Sequence, residues 1–481
     1  MMAKHKLRVG FVGTSIGSYY ASEYHQRERA IAGLIQLAQQ LDFELVPVRD
    51  EIMSVEAAEN AAQYLRDQHI DYLMLQTSGC SMGEQLPPLA AAAPRLGLWA
   101  TPEPEREGDI KLHSFVSMSH FASILKRTPG QERVPFKWFY GYVETEEFQR
   151  RFGITIRALT AIKNMEHARI GWIGGLVSGF SNMQFDKRKL NQHVGASIFS
   201  HEMVELVERA KAYDPEPVAR TIRDIKGAAA SITVSEDAAF DRVTRLYLAL
   251  RDMVREFDYD ALSVACWSEI QALYRVAPCM AYSWLGSEDG IAVACEGDVL
   301  GVLSMYLLNL LTQRKGSSTL LDMAALDADS PAVLLWHCGV TPRHFANQDG
   351  IKWVDHTTIG RKSDVRYGVA GDLVFAPQET SITYFSDDGA TLLVLDANVV
   401  ERPTKGYDGT RGWFAEFRLN QAPISQRDLI NTLTVTGHEH HYAVGQGSVS
   451  SELLEFAGWK GMRLIKHIPY VDYVQLEGVN V

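Results

Sequence analysis

The chain has 481 residues, 46% of them apolar and 22% charged, with a formal net charge of -12. That length exceeds one ordinary core and calls for two or three globular domains, and the acidic balance argues against nucleic acid or an anionic membrane as partner, because the average surface would repel both. Five cysteines (Cys80, Cys266, Cys279, Cys295 and Cys338) with no CxxC pair read as reduced thiols of a cytoplasmic protein, not as a disulfide framework or a zinc ribbon.

The amino-terminal MMAKHKLRVGFVG has no apolar segment or cleavage site ahead of its first strand, so a secretory signal is not expected. From there strands and helices alternate. Leu7 to Val12 is an apolar run ending in Gly13-Thr14-Ser15, followed by a helical pattern at Arg27 to Leu41, a strand at Phe43 to Val48 and a helix at Val55 to Gln68. Ile70 to Leu75 reads as a strand ending in Gln76-Thr77-Ser78-Gly79, and Leu96 to Ala100 as another. Near-continuous apolar strands in this order predict a doubly wound parallel sheet over residues 1–165.

A helix at Thr145 to Met165 leads to a new strand, Ala168 to Gly175, and a second α/β domain is expected over 166–345. Its strands include Ala261 to Trp267 and Ile291 to Cys295, and its helix Val299 to Leu311 is too short for the roughly 20 residues that cross a bilayer. After Gly339 short alternating segments predominate (Asp372 to Phe375, Ile382 to Phe385, Thr391 to Leu395, Trp413 to Arg418), with Ser386-Asp-Asp-Gly389 as a hairpin turn. They predict a mainly antiparallel, barrel-like domain over 346–481.

The glycines of Gly10-Phe-Val-Gly13-Thr-Ser-Ile-Gly17 and Gly171-Trp-Ile-Gly-Gly175 lack the GxGxxG spacing with a following acidic residue, so they read as turn geometry and not as a dinucleotide site. Glu296 is a stronger candidate. It closes an apolar strand just before a helix, at the carboxyl edge where open α/β sheets hold ligands. Asp322 and His337 recur in apolar surroundings, and His438, Glu439, His440 and His441 cluster downstream. A shared divalent cation is one partner that would let such groups be buried. Each also has a plain structural reading. Asp298 is a good helix N-cap, Glu296 favours the helix dipole, Asp322 caps a short helical segment Met323 to Leu326, His337 is a satisfied core histidine, and the histidine cluster is a solvated loop.

Taken together, the domain order, Glu296-Gly-Asp298 at the start of a buried helix, Asp322, His337 and the pair His440-His441 resemble the L-fucose isomerase and L-arabinose isomerase superfamily. Aspartate at 322 and the segment Cys266-Trp-Ser-Glu-Ile-Gln271 bring the chain closer to the fucose branch. The resemblance implies a metal-dependent aldose–ketose isomerase working through a cis-enediolate. Glu296 and Asp322 would be catalytic carboxylates that also hold the metal, and His441 its third ligand. His337 falls near an extra ligand of the arabinose branch, from which WHCG departs. Trp267, Glu269, Gln271, Thr14, Ser15 and His440 are the implied substrate-binding residues. The metal would be Mn2+, Mg2+ or Co2+. The family default is a free aldose or deoxy sugar, and the overall charge leaves room for a phosphorylated or sulfonated sugar held by a few arginines. The protein would form a homo-oligomer, often a hexamer, with sites near subunit interfaces. Two other readings remain: a cytoplasmic sugar-binding or regulatory protein, and another metal-dependent carbonyl enzyme such as an aldolase.

Overall fold

The computed structural model describes residues 4–128, 134–360 and 367–475. It divides into two compact units, Ala3–Lys163 and Asn164–Val481.

The first unit is built on five parallel strands, β1 (Arg8–Thr14), β2 (Glu44–Pro47), β3 (Tyr72–Thr77), β4 (Leu96–Ala100) and β5 (Phe136–Tyr140), in the order β2-β1-β3-β4-β5. β3 and β4 are buried along their whole length, which explains their unbroken apolar runs. The helix Val55–Asp67 buries Ala58, Ala61, Ala62 and Leu65, one stripe at helical spacing, and Ser54 caps it by accepting the Ala57 N–H at 3.1 Å. Strand order reverses between β1 and β3, so their carboxyl ends open a crevice of the kind that holds ligands in such sheets. Thr14 and Ser15 lie there, both buried.

The second unit holds a parallel four-stranded sheet and a larger, mainly antiparallel one. In chain order its strands are β6 (Arg169–Ile173), β7 (Ser197–His201), β8 (Ser231–Thr233), β9 (Ala261–Val264), β10 (Ala292–Ala294), β11 (Ser318–Leu326), β12 (Val333–His337), β13 (Lys352–Asp355), β14 (Gly368–Val374), β15 (Gln378–Ser386), β16 (Thr391–Val400), β17 (Thr410–Leu419), β18 (Ala422–Pro423), β19 (His441–Gln446) and β20 (Arg463–Leu464). The parallel sheet runs β10-β9-β6-β7 and the larger one β20-β16-β15-β19-β11-β12-β17-β14-β13-β8, with β18 on β17. β16 also pairs with β17. The expected hairpin at Ser386 is present, joining β15 to β16.

Between the two sheets lies the helix Val299–Thr312, packed on β9 and β10 on one side and on β11, β15 and β19 on the other. All of its residues from Val299 to Leu311 are buried, which accounts for an apolar surface on every face. No helix among the described residues is long and apolar enough to cross a membrane.

One expectation is corrected. Met323 to Leu326 is not helical but the second half of β11. Its residues have helix-compatible propensities, yet β12 pairs alongside this half and β19 alongside the rest of the strand, and those ladders decide the conformation.

The core of the first unit turns on Phe148, whose ring centroid lies 4.6 Å from Trp99, 5.6 Å from Phe139 and 5.7 Å from Phe152. Phe148→Ala is expected to destabilise this unit by about 3–5 kcal/mol, read by urea unfolding. A loss below about 1 kcal/mol would mean that the aromatic cluster does not hold the unit together.

Candidate metal centre

Glu296 sits in a turn two residues beyond β10, with its backbone in the left-handed region at φ 62°, and Gly297 follows at φ 75°. Neighbouring strand ends pin this turn. Val177 N–H donates to the Glu296 carbonyl at 3.0 Å, Gly297 N–H to Val264 O at 3.3 Å, and Trp172 Nε1–H to Gly297 O at 3.0 Å. A Cβ on residue 297 would stand 1.9 Å from Gly175 O, so only glycine lets the turn approach the loop after β6 this closely. The left-handed residue before it is held by these contacts, a local cost of the sort that collects at functional sites.

Asp322 and His441 reach the same place by strand pairing. They are direct partners in the β11/β19 register, so their side chains leave the sheet side by side. His441 Nε2 lies 3.4 Å from Glu296 Oε2 and 3.5 Å from Asp322 Oδ1. All three atoms are buried, and none has a hydrogen-bond partner among the described residues. An orphaned buried polar atom costs roughly 1–3 kcal/mol, more when charged, so a cation would complete the coordination of these groups; atoms of Glu296, His337 and His441, and of Asp322, His440 and His441, gather within 4.8 Å of one another. Two carboxylate oxygens and one imidazole nitrogen suit a hard or borderline divalent cation better than a thiophilic one.

Charge follows this geometry. Burial pushes the Glu296 carboxyl up, but His440, His441 and His337 facing it reverse the effect and hold its pKa well below the usual carboxylate range. Burial likewise drives His441 toward the neutral form, and Asp298 and Glu296 overcome that and raise its pKa well above the ordinary imidazole value. On its other side His441 presents Nδ1 to Asp298 Oδ2 at 2.8 Å. Asp298 is also the N-cap foreseen for the following helix, its Oδ1 accepting the Gly301 N–H at 2.8 Å.

His440 borders the cluster, Nε2 being 3.6 Å from Glu296 Oε2. Its Nδ1 faces Asn182 Nδ2 at 3.1 Å, and its ring lies 5.0 Å from that of Phe180. Phe180 in turn meets Trp267 edge-on at 6.0 Å. These rings form an aromatic wall beside the carboxylates, with Trp267 40% exposed. Asn182 and Phe180 carried no signal in the sequence beyond lying in the loop after β6.

The remaining candidates are placed differently. His337 adjoins the cluster, one of its ring nitrogens lying within 4.8 Å of ligand atoms of Glu296 and His441, while its Nε2 is 3.2 Å from Cys295 Sγ and its Nδ1 accepts the Cys338 N–H at 2.8 Å. Gln271 is buried, and its Nε2 donates to the carbonyls of Cys266 and Val276, both at 2.9 Å, tying the two ends of that loop together. Glu269 stands exposed at the start of the helix Glu269–Tyr274. Thr14 and Ser15 belong to the first unit. There the Thr14 hydroxyl bonds to Gln76 O at 3.3 Å and Ser81 Oγ at 2.8 Å, and Ser15 N–H donates to Ile52 O at 3.0 Å.

No family model matches the chain. Among curated proteins it is similar to the sulfoquinovose isomerase of Alkalicoccus urumqiensis, 25% identical over 364 residues that cover 74% of this chain and 77% of that protein. The sulfoquinovose isomerase of Priestia aryabhattai is 24% identical over 412 residues, 84% of this chain and 87% of that one. That of Clostridium sp. (strain MSTE9) is 26% identical over 366 residues, 75% and 78% of the two chains. An ABC transporter periplasmic solute-binding protein from Actinobacillus succinogenes 130z, solved with bound D-allose, covers 64% of this chain and 93% of its own at 10% identity, but its TM-score of 0.16 carries no argument.

Gly297→Ala combines a left-handed backbone with a blocked contact and is expected to destabilise the second unit by about 3 kcal/mol. Gly227→Ala, where a Cβ meets nothing within 4 Å, serves as the near-neutral control in the same urea melts. Equal stability of the two variants would contradict the packing described for this turn.

Proposed function

We propose that the chain is an aldose–ketose isomerase, and that its substrate is sulfoquinovose or a closely related sulfonated aldose. The observation that carries the reading is the meeting of Glu296 Oε2, Asp322 Oδ1 and His441 Nε2, buried and without hydrogen-bond partners among the described residues. Sequence similarity to three sulfoquinovose isomerases over 74–84% of the chain supports the same chemistry and suggests the sugar.

Isomerisation moves a proton between C2 and C1 while the carbonyl and hydroxyl exchange places, so it needs a base for the carbon proton, a group to manage the oxygen proton, and relief for charge on the cis-enediolate oxygens. Glu296 Oε2, Asp322 Oδ1 and His441 Nε2 would hold a divalent cation, Mn2+, Mg2+ or Co2+, which when bound polarises the carbonyl and offsets negative charge on the sugar oxygens. Glu296 and Asp322 would be the carboxylates that carry the proton between the two carbons. His441 serves as ligand only. His337 stays out of the set, since its Nδ1 already accepts a backbone N–H and its Nε2 faces a thiol.

His440 holds a substrate hydroxyl. Asn182 donates an amide N–H to its Nδ1, which leaves Nε2–H pointing toward the cluster. The wall of Trp267 and Phe180 offers an apolar surface to the sugar ring.

We also infer that the pairings β16-β15-β19-β11-β12-β17 and back to β16 close as a small six-stranded barrel. Self-association as a homo-oligomer would cover Phe115, Trp138 and Tyr140, which stand 52%, 49% and 43% exposed on the first unit. The five free cysteines support a reducing, cytoplasmic compartment.

Incubation with Mn2+ and sulfoquinovose in D2O, followed by NMR, is expected to show deuterium entering C1 or C2 together with ketose formation, both suppressed by EDTA. Glu296→Gln and Asp322→Asn should each slow exchange by at least about 100-fold. Exchange at the unaltered rate in Glu296→Gln would remove that residue from the mechanism, and folded, Mn2+-supplied protein that exchanges no proton in this or in neutral aldoses would refute the isomerase reading.

A further inference from the structure

Asp298 does more than cap a helix. It is fully buried, as are its neighbours Tyr384 and His441. Its carboxylate is surrounded by donors: Gly301 N–H at 2.8 Å on Oδ1, the Tyr384 hydroxyl at 2.9 Å and 3.0 Å from its two oxygens, and His441 Nδ1 at 2.8 Å from Oδ2. With Gly301 N–H and the Tyr384 hydroxyl already donating to this carboxylate, the His441 contact is best met by an Nδ1–H that donates to Oδ2. With Nδ1–H held there, Nε2 is the nitrogen that offers a lone pair once a cation takes the place of its proton, and Nε2 is the atom facing Glu296 and Asp322.

The space around Asp298 is shaped for this contact. A Cβ on residue 301 would lie 2.2 Å from Asp298 Oδ2, so Gly301 keeps the first helical turn open for the carboxylate to lean across toward β19. A cap alone does not require a bare glycine at that position.

We propose that Asp298 is a positioning residue for the cation site, fixing the tautomer and ring direction of His441 so that Nε2 is presented to the metal. The inference rests on the metal reading of the cluster given above. A carboxylate behind a ligating imidazole raises its basicity and holds its ring, and losing such a partner typically costs 10–100-fold in metal affinity.

Asp298→Asn tests this because asparagine remains a good N-cap. Its one carbonyl oxygen must accept from Gly301 N–H and the Tyr384 hydroxyl, which turns its amide N–H toward His441 Nδ1. That nitrogen then has to accept, the proton moves to Nε2, and an N–H replaces the lone pair at the cation position. Asp298→Ser is the companion variant: it also caps well but is too short to hold His441. Mn2+ affinity is measured by calorimetry on the full chain, with thermal melting and circular dichroism as checks of folding. Both variants are expected to fold and to bind Mn2+ about 10–100-fold more weakly than the unaltered protein. Wild-type affinity in either folded variant would overturn the inference and leave Asp298 as a cap. Failure of the unaltered protein to bind Mn2+ at all would instead overturn the metal reading and this inference with it.

Discussion

Three buried polar atoms that the polypeptide itself leaves unpaired set the terms for the second unit. Carboxylate oxygens of Glu296 and Asp322 and the Nε2 of His441 point into one space without a hydrogen-bond partner among the described residues. A protein core does not ordinarily tolerate this, because each group has given up water for no more than a long ion-pair contact. The surrounding structure is organised to hold the groups there all the same. Donors such as Gly301 N–H, the Tyr384 hydroxyl and His441 Nδ1 are spent on the supporting carboxylate of Asp298, and not on the two carboxylates of the cluster.

The fold meets that demand by bringing together residues from two sheets. Glu296 comes from the carboxyl end of the parallel sheet, in a turn held by the loops after β6 and β9. Asp322 and His441 come from adjacent strands of the larger sheet. The helix Val299–Thr312 runs between the sheets, beginning at Asp298 and ending before β11. Its uninterrupted apolar surface is thus part of the cluster's construction: packing on both sheets at once keeps Glu296 in register with Asp322 and His441. Beside them, the rings of Trp267, Phe180 and His440 give the charged cluster an apolar border, the combination of polar points and apolar wall expected of a small-molecule site.

Much of this was legible in the sequence where local pattern and final environment agree. Apolar runs such as Tyr72 to Leu75 announce a strand buried on both faces, and Glu296-Gly-Asp298 ahead of an apolar stretch announces a strand end and a capped helix. Legibility failed where partners are distant. Met323 to Leu326 looked helical because nothing local reveals that β12 and β19 flank β11. Asp298 reads correctly as a cap from its next three residues, but its contact with His441, 143 positions away, leaves no mark on spacing. Gln271 has the polarity of a pocket residue, and nothing local reveals that its amide N–H groups also tie together the loop that carries Trp267. The segment carrying the helices Met203–Lys211 and Asp237–Phe257 is rich in charge, which hides its apolar stripes from a reading by eye.

The most direct test of the account is a crystal structure of the protein grown with Mn2+, with diffraction recorded at the manganese absorption edge. An anomalous peak is expected about 2.0–2.4 Å from Glu296 Oε2, Asp322 Oδ1 and His441 Nε2 together, the range in which divalent ions meet carboxylate and imidazole ligands. Ordered waters or protein donors satisfying those three atoms, with no anomalous density between them, would contradict it.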